Sequence, residues 1–201
     1  MKHFYRLIIT LTLIAAGAGL VLSLVESATR EPIAAQRKIQ QLKAISAVLP
    51  AFDNSPTEDC VVLEIGRDKK DQPLQRTFYR ARQDGQLVGV AFTVLARDGY
   101  SGTIEIMVGV DCHEQIVAIE ILSHSETPGL GSKITTSAFK DQFRQRDLNN
   151  TDWRVKKDGG EIDQLTGATI SPRATVAAVK RGLEFFNQHR SQILARSGDQ
   201  L

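Results

Sequence analysis

The feature that most constrains this chain is a run of 19 residues without a charge, from Leu7 to Val25. A helix of that length, at about 1.5 Å per residue, spans about 28 Å and matches the hydrocarbon core of a bilayer. A cleaved signal peptide is the alternative, but its apolar region has only about 7–15 residues. The Glu26-Ser27-Ala28 segment that follows is also a poor cleavage site. We therefore predict a retained transmembrane helix over residues 7–25.

The charges beside this run predict its orientation. Lys2 and Arg6 precede it, and no acidic residue lies within residues 1–25. Because basic residues are retained on the cytoplasmic side, we expect the tail 1–6 in the cytoplasm and residues 26–201 outside it. In a Gram-negative bacterium this gives a single-pass protein of the inner membrane with a periplasmic C-terminal domain.

The part of the chain after the apolar run is electrically neutral. Of the 25 Lys and Arg residues two lie in the first 25 positions, which leaves 23 to balance the 23 Asp and Glu residues. A neutral body without a basic run is a poor nucleic-acid binder, so we expect no nucleic-acid partner. The two cysteines, Cys60 and Cys112, are too few for a disulfide-framed domain or a cysteine-held iron–sulfur cluster. They can form one disulfide or remain two free thiols.

The exported part is expected to begin with a stalk helix over residues 26–50. Pro32 suits a first helical turn, apolar residues recur at helical spacing over 29–49, and Pro50 ends the pattern. This helix can continue directly from the membrane span.

Residues 51–201 are expected to form one domain of α+β class, with a mostly antiparallel sheet and helices packed on it. The Asp84-Gly85 pair between two apolar runs is a strong hairpin signal. The predicted strands cover 60–66, 74–82, 86–96, 102–110, 115–122 and 153–157, and the predicted helices cover 136–146 and 172–194.

Three loops combine glycine with polar side chains and are the candidate ligand site. The first loop spans 99–102, the second 124–131 and the third 163–169. The second loop suggests a polar cradle in which His124 and Glu126 face a planar ligand, although both can equally be solvated loop residues. The candidate binding residues are Tyr100, Ser101, Gly102, His124, Glu126, Thr127, Gly129, Leu130, Gly131, Asp163, Thr166, Gly167, Ala168 and Thr169.

The third loop precedes a predicted helix start. Ser171 followed by Pro172 indicates an N-cap and a first-turn proline. Helix N-termini offer free N–H groups and a positive dipole end, which suit a phosphate. The alternative is a capping turn with no ligand, which the residues alone favour slightly. A zinc site from Cys112, His113 and His124 matches no standard zinc spacing, so we expect no metal.

These three loops carry a family resemblance. Together with the N-terminal anchor, three motifs resemble the G subunit of the Rnf (Rsx) ion-translocating oxidoreductase complex. These motifs are GYSGTIEIMVGVD (99–111), HSETPGLGSKI (124–134) and DQLTGATISPRAT (163–175). The match covers the whole chain. The sequence is more distantly similar to the C subunit of the Na⁺-translocating NADH:quinone reductase, which shares the FMN-binding domain and is usually longer.

The resemblance implies a cofactor and its attachment point. Proteins of this kind carry one FMN, which is joined through its phosphate to a threonine. A flavin transferase forms this bond and recognises a D-x-x-[ST]-G-A-T motif. By this resemblance, Thr169 of this chain is the acceptor. The rest of the recognition motif consists of Asp163, Thr166, Gly167 and Ala168. The first and second loops are then candidates for the wall of the flavin pocket.

The resemblance also implies a role in a membrane complex. The chain is expected to carry electrons as the G member of an assembly that also contains A, B, C, D and E subunits. That assembly couples electron flow between NADH and ferredoxin to Na⁺ or H⁺ movement. The chain is not expected to turn over a soluble substrate alone, and it has no expected catalytic residue. The alternatives are the quinone-reductase C subunit and a non-redox, membrane-tethered binding or scaffold domain.

Overall fold

The computed structural model describes residues 2–67 and 71–195. The chain divides into two compact units, Met1–Gln41 and Leu42–Leu201. The predicted tail 1–6 and domain 51–201 extend over residues 1, 68–70 and 196–201, which lie outside the described residues.

One long helix, α1 (Lys2–Val48), contains both the predicted span and the predicted stalk. The stalk continues from the predicted span without a break, as the sequence allowed, so Pro32 lies inside α1 and not in a first helical turn. Leu7 and Leu22 are each 71% exposed, and within the described residues α1 is the one helix long and apolar enough to cross a membrane. Such a surface is unfavourable in water and suits lipid.

The second unit is built on a five-stranded antiparallel meander, which confirms the predicted α+β class. The Asp84-Gly85 turn is confirmed as a two-residue hairpin loop, with φ of 51° and 76° and Gln83 paired with Gln86. The sheet order is β1 (Cys60–Arg67), β2 (Pro73–Gln83), β3 (Gln86–Ala96), β4 (Ile104–Asp111) and β5 (Ile116–Ser123).

Helices follow the sheet: α2 (Ser137–Lys140), α3 (Ile170–Gln188) and α4 (Arg190–Leu194). The apolar stripe of α3 packs on one face of the sheet, where Phe186 stacks on Phe92 with 5.8 Å between ring centroids. This packing fixes where the N-terminus of α3 lies relative to the strand ends.

The other face of the sheet receives the last turns of α1. Ala44, Ile45 and Val48 are buried there against small side chains such as Ala91. A Cβ at Gly109 would collide with the carbonyl oxygen of Val48, so only glycine permits this close approach.

The predicted helix 136–146 is wrong beyond residue 140. A 3-10 turn, Asp141–Phe143, follows α2, and Gln145 adopts a φ of +57°. The amide of Gln145 donates to Ile116, and the Ile116 amide donates to Arg146. Pairing with the start of β5 therefore replaces further helical turns, although Phe139 and Phe143 still contact each other as the pattern predicted.

Two further expectations are wrong. Residues 153–157 form no strand: Val155 makes one isolated bridge to Ile162, and a 3-10 turn, Lys156–Asp158, follows. The final helix begins at Ile170 rather than Pro172, so Thr169 and not Ser171 is its N-cap residue. The Ser171 hydroxyl is used elsewhere, as the site shows.

Candidate functional site

A tight turn in the third loop leads the chain into α3. The amide of Ala168 donates to the carbonyl of Leu165 at 3.0 Å, and the intervening Gly167 has a φ of +78°. Positive φ at the third position of a β-turn favours glycine, which explains the Thr-Gly-Ala order. The turn brings Thr169 to the first turn of α3.

Thr169 has a hydroxyl that makes no hydrogen bond within the described residues, and its side chain does not cap the helix. The residue is half-buried and lines a cavity of about 290 Å³. The neighbouring hydroxyls differ: Ser171 donates to Glu126, Thr175 donates to the Ser171 carbonyl, and Thr166 is exposed outside the cavity lining. Thr169 alone in this segment combines a free hydroxyl with a place in the cavity.

The structure brings the three predicted loops together around this cavity. Ile170 and Ser171 also line it and were missed, because Ser171 was assigned to helix capping. The predicted residues in the lining are Tyr100, Glu126, Thr127, Leu130, Gly131, Gly167, Ala168 and Thr169.

Other predicted residues lie outside the cavity lining and have other contacts. The ring Nδ1 of His124 accepts the Glu126 amide at 3.1 Å, and the Gly129 amide donates to Ser132. Asp163 pairs with Lys156 at 2.8 Å. The predicted residues outside the lining are Ser101, Gly102, His124, Gly129, Asp163 and Thr166.

Glu126 is a buried carboxylate of the second loop that connects the first loop to the first turn of α3. It accepts hydrogen bonds from the Ser101 amide at 3.1 Å and from the Ser171 hydroxyl. Cβ atoms at Gly99 and Gly131 would lie 2.8 and 2.7 Å from its two oxygens, so these glycines make room for the carboxylate. Glu126 therefore holds the loops in place while its side chain also lines the cavity.

The chemistry of the cavity suits an anion beside an apolar group. The first amides of α3 lack acceptors within the helix and lie at its positive end. No lysine or arginine occurs among the described lining residues, so backbone amides and the hydroxyls of Tyr100, Thr127 and Thr169 are the available donors to an anion. Large side chains at the cavity are well exposed: Tyr100 by 68%, Leu130 by 43% and Ile170 by 44%. They offer an apolar surface to a planar ring.

An ion pair anchors the same helical turn. Both guanidinium contacts from Arg173 to the Asp158 carboxylate measure 2.7 Å. Hydrogen bonding from Arg173 lowers the pKa of Asp158, and the pKa of Arg173 is raised in return. The pair links the 3-10 turn at 156–158 to the start of α3.

The cysteines take no part in this site. Cys60 and Cys112 are both free thiols, and the Cys112 thiol donates to the Leu87 carbonyl. Burial raises the pKa of the Cys112 thiol. Across residues 2–67 and 71–195, no group of three His, Cys, Asp or Glu side chains is arranged to hold a metal.

Known proteins match this chain over most of its length. Residues 99–184 match the family described as FMN-binding domain. The chain is 38% identical to the G subunit of the ion-translocating oxidoreductase complex of Aliivibrio fischeri, over 92% of this chain and 91% of the relative. It is 41% identical to the protein of that name from Yersinia pestis, over 90% and 88%.

Solved structures share the fold at lower identity. The C subunit of the Na⁺-translocating NADH-quinone reductase from Parabacteroides distasonis has a TM-score of 0.51 and 16% identity, covering 71% of this chain and 78% of that one. NqrC from Shewanella oneidensis has a TM-score of 0.50 and 18% identity, covering 71% and 70%. At these identities the likeness establishes the fold alone.

Proposed function

Because the chain belongs to the G-subunit family of ion-translocating oxidoreductase complexes, we propose that it is an electron-carrying flavoprotein whose FMN is bonded through phosphate to Thr169. The membership confirms the resemblance expected from the three loop motifs. The proposal rests above all on one observation, the free Thr169 hydroxyl in the cavity at the N-terminus of α3.

Attachment at Thr169 requires an activating enzyme. A threonine hydroxyl is a weak nucleophile, so a flavin transferase must remove its proton. With FAD as donor, the Thr169 Oγ–P bond forms, the diphosphate bond breaks, AMP leaves and the hydroxyl proton is released. The exposed Asp163 and Thr166 supply the recognition motif for that enzyme, while Gly167 keeps bulk away from the attachment point.

The residues around the cavity then have separate tasks. The first amides of α3 hold the phosphate, and Tyr100, Leu130 and Ile170 contact the isoalloxazine ring and exclude water from it. Glu126 fixes the distance between the ring-contacting loops and the attachment point. When bound there, FMN would supply the chemistry for electron transfer between partner proteins. Covalent attachment prevents loss of the cofactor from an exported domain.

The proposed setting is the bacterial inner membrane. Residues 7–25 span it, 26–50 form the stalk and 51–201 form a periplasmic FMN-binding domain, with the A, B, C, D and E subunits as partners. The span has no ionisable residue, so we assign the ion path to those partners. Electron transfer is the activity of the assembly, and the chain alone turns over no soluble substrate.

A visible absorption spectrum tests this function. The full chain is produced in cells that contain the flavin transferase, purified in detergent and then denatured and washed free of small molecules. We expect a flavin spectrum before denaturation and protein-bound yellow colour after it. A colourless protein would instead assign the chain to the scaffold class, and colour lost on denaturation would contradict the covalent bond.

A further inference from the structure

The sheet opens between β2 and β3. These strands pair from Gln83–Gln86 to Phe78–Phe92 and no further. Beyond that point β2 continues to Pro73 along β1, and β3 continues to Ala96 along β4. A cavity of about 590 Å³ lies between the diverging strands. We call this opening the β2–β3 split, lined by Leu74, Gln75, Arg76 and Thr77 on β2 and by Thr93, Leu95 and Arg97 on and after β3.

Both walls of the split are strand edges. Continued register would pair Thr77 with Thr93 and Gln75 with Leu95, but neither pair forms. Over this stretch each strand therefore has one strand partner instead of two. Backbone N–H and C=O groups on such an edge can pair with an added extended segment.

Three arginines without a carboxylate partner among the described residues line the split. Among the described residues 42–195, Arg76, Arg97 and Arg181 form no salt bridge with another described residue, and all three line the split. Eight other arginines in this part each pair with an Asp or Glu: Arg67, Arg80, Arg82, Arg144, Arg146, Arg154, Arg173 and Arg190.

Arg76 is the most enclosed of the three. Its guanidinium carbon lies 5.3 Å from the Phe185 ring centroid and 6.0 Å from that of Phe92. Its Nε and one Nη are buried without a hydrogen-bond partner in the described structure. Burial lowers the pKa of Arg76 to about 10, so the group stays charged at neutral pH. Buried charges and donors of this kind are stabilised when an anion joins them.

We propose that the β2–β3 split receives an extended acidic peptide segment of a partner protein. The strand edges bind the backbone of this peptide, and the three arginines bind its carboxylates. The exposed Leu95 contacts a peptide side chain that lies between those carboxylates. Asp98 and Glu105 also line the cavity, but neither forms a salt bridge with these arginines. The three arginines and the two carboxylates give the lining a net charge of one positive unit. The split shares no lining residue with the Thr169 cavity, so this surface is separate from the proposed flavin site.

Photo-crosslinking in the assembled complex tests this proposal. A photoreactive amino acid replaces Leu95 in the full chain, and the crosslinked peptides are identified by mass spectrometry. We expect an Asp/Glu-rich segment of another protein. In the Arg97→Gln/Arg181→Gln double variant its yield should fall severalfold. Both arginines are exposed, so the fold should survive.

The matched control is Arg144→Gln/Arg154→Gln, which removes the same charge from exposed arginines already paired with Asp141 and Asp152. Its yield should equal that of the parent chain. No crosslink, a segment without acidic residues, or equal loss in both double variants would overturn the proposal.

A second experiment measures the melting temperature with inorganic phosphate added at constant ionic strength. A rise in melting temperature that requires Arg97 and Arg181, without a crosslinked peptide, would assign the split to a small anion instead.

Discussion

The Glu126 carboxylate accepts a hydrogen bond from the Ser171 hydroxyl, which ties the second loop to the first turn of α3. The same carboxylate accepts the Ser101 amide, so one buried side chain connects the first two loops with the helix start at the Thr169 cavity. The geometry of the cavity thus depends on a contact between residues 45 positions apart.

A double-mutant cycle on Glu126 and Ser171 should reveal this coupling. Glu126→Gln places an amide group where two donors converge, and we expect a loss of about 1–3 kcal/mol in unfolding free energy. Ser171→Ala added to that variant should cost less than in the parent chain, because the Ser171 hydroxyl there no longer donates to a charged carboxylate. Urea unfolding of each variant measures the effect. Additive losses, within about 0.5 kcal/mol, would show that the two residues act independently.

Asp59 should be essential for stability, because it compensates a buried charge. Arg80 is 1% exposed and pairs with Asp59, which also accepts from Arg82 at 2.6 Å. Removing one partner of a fully buried pair costs about 3–5 kcal/mol. Because Asp59 is 21% exposed and Arg80 also donates to the Ala195 carbonyl, Asp59→Asn should lower the free energy of unfolding by about 1–3 kcal/mol. Asp141→Asn is the control, since its exposed partner Arg144 makes the pair worth less than about 1 kcal/mol. Similar losses in both variants would contradict the assignment.

The Arg173–Asp158 pair should give a pH-dependent contribution at the start of α3. Hydrogen bonding to Arg173 lowers the pKa of Asp158 in the folded state. A depressed carboxyl pKa stabilises the fold above the unfolded-state pKa, and this stabilisation is lost as the pH falls through the folded-state value. NMR titration of Asp158 should show the low pKa, and Arg173→Gln should raise it toward the ordinary range. An unchanged titration in that variant would mean that Arg173 does not hold the carboxylate.

Local sequence patterns predicted much of this fold. Apolar alternation and the Asp84-Gly85 turn located the five strands closely, because both depend on residues adjacent in sequence. The same reasoning failed at residues 141–146, where pairing with β5 competes with the helix. It failed again at Ser171, whose hydroxyl bonds to Glu126 rather than capping α3.

The candidate site was predictable as three loops but not as a geometry. Glycine and polar clusters marked the loops, and the resemblance singled out Thr169. Spacing alone did not indicate which hydroxyl is free, because the partners of Ser171 and Thr175 are set by tertiary packing and helix geometry. The sequence also did not predict that Arg76, Arg97 and Arg181 lie close together, because they belong to three separate parts of the chain that meet at the split.

The proposed topology places the chain's C-terminus outside the cytoplasm. Lys2 and Arg6 are the retained charges, so a reporter fused after Leu201 should be active only if it functions in the periplasm. Paired fusions to a periplasmic and a cytoplasmic reporter measure this directly. Activity of the cytoplasmic reporter would reverse the orientation and remove the route to an exported flavin transferase.

Thr169→Ala should abolish covalent flavin while the domain remains folded. The lost hydroxyl makes no hydrogen bond in the described structure, so the stability change should be about 1 kcal/mol or less. Thr166→Ala is the matched control: it removes another hydroxyl of the recognition motif and should reduce the yield of attachment without moving its position.

Peptide mass spectrometry of the purified full chain, made with the flavin transferase present, tests the central claim most directly. The account predicts the mass of one FMN, less one water, on the peptide that contains Thr169, with fragment ions placing it on that residue. Flavin on Thr166, Ser171 or Thr175, or covalent flavin retained in Thr169→Ala, would contradict it.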